Sequence, residues 1–172
     1  MFQGCTSLIQ APSLPVTTLA IHCYRGMFSG CTGLTQAPAL PATRLAVSCY
    51  DNMFSNCTGL TQAPALPATR LAGSCYEEMF QDCTSLTQAP TLPATTLADF
   101  CYYAMFDGCT KIKLSKTRTG EYTVAYRIPT TGTGTTASSG LSDMFTSTGG
   151  TFTGTPTINT TYYLSNTNTV VG

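Results

Sequence analysis

A 26-residue unit repeats almost letter for letter along this chain, in copies beginning at Met1, Met27, Met53, Met79 and Met105. Copies two and three, MFSGCTGLTQAPALPATRLAVSCYDN and MFSNCTGLTQAPALPATRLAGSCYEE, differ at only four positions, so the register is unambiguous. A period of this length predicts a stack of units, each covering its neighbour's apolar face. One repeat cannot bury that face alone.

Within a repeat, Leu19, Ala20, Cys23, Tyr24, Met27 and Phe28 recur as columns spaced i, i+1, i+4, i+5, i+8 and i+9. That spacing predicts one stripe of an α-helix. The varying positions, such as His22, Arg25 and Gly26, fall between the columns and suit a solvent-facing surface. Thr17, Thr43, Thr69 and Thr95 stand where an N-cap belongs. Gly4, Gly30, Asn56, Asp82 and Gly108 stand where a left-handed C-cap belongs. A helix of about 11 residues between these signals is expected. After it comes Thr35-Gln36-Ala37-Pro38-Ala39-Leu40, whose proline permits only a brief strand.

Strand and helix within one short period predict an α/β leucine-rich-repeat solenoid, with parallel strands on one side and helices on the other. The run Met27-Phe28-Ser29-Gly30-Cys31-Thr32-Gly33-Leu34 resembles the BspA-type leucine-rich repeats of host-associated bacteria and some protists. The resemblance covers residues 1 to about 110, and it implies a C-terminal fragment of a bacterial surface protein. Alanine and proline replace the larger apolar residues usual in that family's strand.

The fifth copy breaks down. Met144-Phe145 follows Met105-Phe106 by 39 residues instead of 26, and the extra 13 lie before Pro129. Ile112-Lys113-Leu114 and Tyr122-Thr123-Val124-Ala125-Tyr126 predict a β-hairpin around 116–120, a turn-forming stretch ending in glycine. The organisation read from the chain is therefore a repeat array over 1–110, a hairpin insertion over 111–127, and a degenerate capping repeat with its tail over 128–172. Thr and Gly dominate from 130 onward, Gly140-Leu141 replaces the interior Cys-Tyr pair, and 166–172 is expected to fray.

Eight basic and eight acidic residues cancel, and 9% of residues are charged. This excludes a whole-chain field for nucleic acid, and no apolar run is long enough for membrane insertion. The opening stretch, with its first basic residue at Arg25 and prolines at 12 and 15, does not read as a signal peptide. Five of the eight basic residues, Lys111, Lys113, Lys116, Arg118 and Arg127, fall in or beside the insertion and form the candidate binding site.

Nine cysteines lie in two columns, 5/31/57/83/109 and 23/49/75/101, with no Cys-x-x-Cys pair. Buried free thiols are the expectation, since cysteine packs as a small apolar group. His22 beside Cys23 is not a nucleophile pair, because adjacent residues on a helix point apart. No paired carboxylates, phosphate loop or metal-ligand cluster appears, so no catalytic residue, metal or cofactor is assigned and the chain is read as non-enzymatic.

The resemblance implies a recognition or adhesion module, at the cell surface or secreted as part of a longer protein, that binds a protein or glycan partner through a repeat surface. A structural part of a phage tail or fibre is the alternative. Threonine columns at 6/32/58/84 and 35/61/87 raise ice binding as a minor one. Self-association through an uncapped first repeat is a further expectation.

Overall fold

The computed structural model describes residues 1–129 and 137–172, so the Thr/Gly-rich start of the sixth copy at 130–136 lies outside the described residues. Among the described residues there is no helix. Six short strands form two small sheets: β1 (Gln88–Pro90), β2 (Lys113–Ser115), β3 (Tyr122–Ile128), β4 (Gly149–Gly150), β5 (Thr160–Ser165) and β6 (Thr169–Val171). The expected helix-and-strand leucine-rich-repeat solenoid is therefore wrong, and the error lies in the segments assigned to helix.

Those segments, 21–30, 47–56, 73–82 and 99–108, are unbroken successions of turns. Their backbone groups follow an alternation. The N–H groups of Cys23, Arg25, Met27 and Ser29 each donate three residues back, at 3.1–3.3 Å. The N–H groups of His22, Tyr24, Gly26, Phe28 and Gly30 donate to carbonyls 25 residues ahead, in the next coil, at 2.8–3.1 Å. Buried backbone groups need partners, and half of these find them only across the stack.

Every fourth residue of this ribbon has positive φ, as at Ser48 (49°), Asn52 (54°) and Asn56 (60°), or at Gly26 (57°) and Gly30 (73°). A left-handed residue at each fourth position forbids an α-helix. It also explains the apolar spacing, which is four rather than 3.6. On a helix, residues four apart drift by about 40° per step, so three steps carry the stripe about 120° around the axis. A turn ribbon of period four keeps Cys23, Tyr24, Met27, Phe28 and Cys31 on one face. In the second coil their counterparts Cys49, Tyr50, Met53, Phe54 and Cys57 are fully buried.

The stacked coils put identical side chains over one another. Phe2, Phe28, Phe54, Phe80, Phe106 and Phe145 form one column of near-parallel rings with centroids 5.4–5.8 Å apart. Tyr24, Tyr50, Tyr76 and Tyr102 form a second at 5.8–5.9 Å. Such pairs contribute about 0.5–1.5 kcal/mol each beyond the area they bury. The segments read as strands touch between coils mainly as single parallel bridges, Gln36 to Gln62 and Arg44 to Arg70.

Phe145 occupies the Phe column, which confirms the 39-residue spacing as a sixth turn of the stack. The insertion is not a hairpin. β2 and β3 lie close to where the sequence places strands, but β5 stands between them in the order β3-β5-β2-β4. Nor does the C-terminus fray: β6 pairs parallel with β1. The N–H of Thr61 donates to the Thr35 carbonyl, Thr87 to Thr61, and Thr169 to Thr87. Residues of the C-terminal segment thus take the ladder seat that Lys113 would occupy had the fifth repeat continued. Buried Asn168 anchors the substitution, its Nδ2 donating to the carbonyls of Thr87 (3.1 Å) and Lys111 (2.9 Å) and its Oδ1 accepting from the Lys113 N–H (3.0 Å).

Candidate recognition surface

The five basic residues expected to act together are dispersed by this topology. Lys111 is exposed in the turn before β2, and its carbonyl serves Asn168. Lys113 begins β2, half-buried. Lys116 places its ammonium 5.2 Å from the Phe152 ring centroid, a cation–π contact. Arg118 is exposed in the loop that follows. Arg127 lies on β3, separated from Lys113 by β5, and its Nη1 donates to the Asn159 carbonyl at 3.0 Å.

A different pair of cations is brought together instead. Arg44 and Arg70, both exposed, are register partners in a parallel bridge between coils two and three. Bridged strands lie about 4.8 Å apart, so the two guanidinium groups start from backbones that close. Like charges directly opposite each other disfavour the pairing, and neither arginine has a carboxylate partner. The ion pair present among the described residues is Arg25 to Asp51, 2.9 Å, elsewhere on the stack. Thr43 and Thr69, also exposed, precede the two arginines. Shallow grooves of about 440 and 450 Å³ flank them, one lined by Thr17, Thr18 and Leu19 with Thr43, Arg44 and Leu45, the other by Thr69, Arg70 and Leu71 with Thr96 and Leu97. Sequence reading weighted the five clustered cations and passed over these two. The signal was present, because two arginines one repeat apart in a stack must become neighbours.

The threonine columns are less available than a free hydroxyl array would be. Thr61 and Thr87 donate their hydroxyls to the carbonyls of Thr35 (3.1 Å) and Thr61 (3.4 Å). This removes donors from the face on which ice binding would rely.

The thiols are structural in character. Cys31, Cys57, Cys83 and Cys109 each direct Sγ to a phenylalanine carbonyl of the preceding coil, at 2.9–3.1 Å. Seven cysteines are buried, Cys5 and Cys23 are exposed, and all nine are free. Burial pushes the Cys49 and Cys57 thiols up to about 12 and Cys101 to about 11. A thiol so shifted holds its proton at neutral pH and is a poor nucleophile. His22 sits at positive φ (58°) in the first coil, exposed. Among the described residues no cluster of His, Cys, Asp and Glu is placed to hold a metal ion, and no helix is long and apolar enough to cross a membrane.

Comparison with known proteins returns no match: no family model, no curated protein and no solved structure matches the chain.

Proposed function

We propose that this protein is a non-enzymatic recognition or adhesion module that holds an acidic partner, glycan or protein, along the flank carrying Arg44 and Arg70. The observation behind the reading is the in-register, unneutralised arginine pair on a rigid stack. Guanidinium groups bind carboxylate, sulfate or phosphate through paired N–H donors, and two at neighbouring positions suit a ligand bearing successive anions. Thr43 and Thr69 add hydroxyl donors beside each. The likeness of Met27–Leu34 to BspA-type repeats supports attachment as the biological setting, at a cell surface and within a longer protein.

Immobilised heparin serves as an acidic-glycan probe, with neutral dextran as its control. Retention on heparin that salt reverses, and that the double variant Arg44→Glu/Arg70→Glu loses, is the expected result. Retention unchanged in that variant but lost on charge reversal of Lys113, Lys116 and Arg118 would move the site to the C-terminal sheet and end this reading.

A further inference from the structure

The outer face of the first coil has an unusual property: along its turn ribbon it offers acceptors and no donors. Inside the stack the carbonyls of Val47, Cys49 and Asp51 receive the N–H groups of His22, Tyr24 and Gly26. Their first-coil counterparts, the carbonyls of Ile21, Cys23 and Arg25, receive nothing among the described residues, while the intervening N–H groups are spent in turns or on the second coil. Cys5 extends the deficit. Cys31 gives its Sγ hydrogen to Phe2, whereas Cys5 has no such carbonyl before it. Apolar side chains lie exposed on the same coil, with Ile9 at 75% and Ile21 at 63% of full exposure.

A second copy of this chain does not fit that face. Two first coils meeting head to head would set carbonyls against carbonyls. The far end of the stack is no better, because its donors are already taken: Phe145 N–H goes to Gly154 O (3.0 Å) and Asp143 N–H to Thr155 Oγ1 (2.8 Å). What does fit is repeated inside the molecule, where each turn ribbon presents an N–H at every second residue to the coil that follows.

We infer that the first coil is a docking edge for one more coil of this same repeat, belonging to a polypeptide with an uncovered donor edge, and that it is not a self-association surface. The inference is independent of the arginine flank. It replaces the simple expectation that an uncapped repeat associates with itself, since the polarity of the backbone forbids the symmetric contact.

The test fuses a copy of Met27–Asn52, with its two cysteines changed to serine, in phase before Met1 of the full chain. Thiol-reagent kinetics then report the edge. In the unfused protein Cys5 and Cys23 react fast; behind a stacked coil both should slow by at least tenfold, while a scrambled extension of the same composition leaves them fast. Cys5 and Cys23 reacting equally fast in the fused and scrambled chains would overturn the docking edge. Sedimentation of the unfused protein as a dimer with both thiols protected would overturn the exclusion of a second copy.

Discussion

The two ends of the stack use one ribbon and treat it oppositely. At the N-terminal end the carbonyls of Ile21, Cys23 and Arg25 lie open, Phe2 is only half-buried, and two thiols are exposed. At the C-terminal end the ribbon donors of Asp143 and Phe145 are answered by 154–155, Phe145 is fully buried against Phe106 and Tyr126, and β6 takes the vacant strand seat beside β1. The contrast shows that a stacked coil is only as stable as its next neighbour. Identical residues are worth different amounts according to whether a coil lies on both sides.

The largest effect expected from breaking this contrast is alkaline. Cys49 and Cys57 have folded pKa values raised from 9.0 to about 12 by burial. The unfolded chain loses these protons near pH 9 while the folded chain retains them, so their stabilising contribution is complete below pH 9 and is lost as pH rises toward 12. For Cys57 alone the three units amount to about 4 kcal/mol. Urea midpoints should be flat to pH 9 and fall steeply above it, and replacing Cys57 with alanine should soften the fall. An unchanged midpoint at pH 11 would contradict the burial of the column.

Next in size is a matched pair in the Phe column. Phe145→Ala, at the closed end, should cost about 4 kcal/mol, because the cavity is walled by Phe106 and Tyr126. Phe2→Ala, with a neighbour on one side only, should cost about 1 kcal/mol. Equal losses in chemical denaturation would show that the two ends are packed alike.

The smallest effect concerns the left-handed positions. Ala104 holds φ at 46° and His22 holds 58°. Glycine carries no such penalty, so Ala104→Gly should stabilise by about 1 kcal/mol. His22→Gly, in the coil with a free face, should raise the thermal midpoint by less. A fall in midpoint for Ala104→Gly would mean that the methyl group's packing outweighs backbone strain.

How much of this was legible can be judged at particular residues. The columns, the register and the sixth copy at Met144-Phe145 were all readable, since repetition states which residues lie over which. The turn ribbon was half-readable. Gly30, Asn56 and Asp82 were recognised as tolerating positive φ, yet Gly26 and Asn52, four residues earlier, carry the same signal and were absorbed into an assumed helix. A spacing of i, i+4, i+8 approximates a helical stripe over one turn and departs from it over three. The arginine pair went unread because clustering along the chain was weighed and clustering across the period was not.

What the sequence determined by itself is the identity of each column, because a 26-residue repeat in stacked units leaves no other partner for Phe54 than Phe28 and Phe80. What only the tertiary structure decided is the path of the backbone and the closure of the stack. Half the ribbon's N–H groups bond to carbonyls 25 residues ahead, so the conformation they hold has no local reason to exist until the next coil is in place. Asn168 likewise finds the carbonyls of Thr87 and Lys111 across separations of 81 and 57 residues. A hydrogen bond between residues so far apart in sequence leaves no periodic trace in either segment, and only the folded chain brings its two halves together.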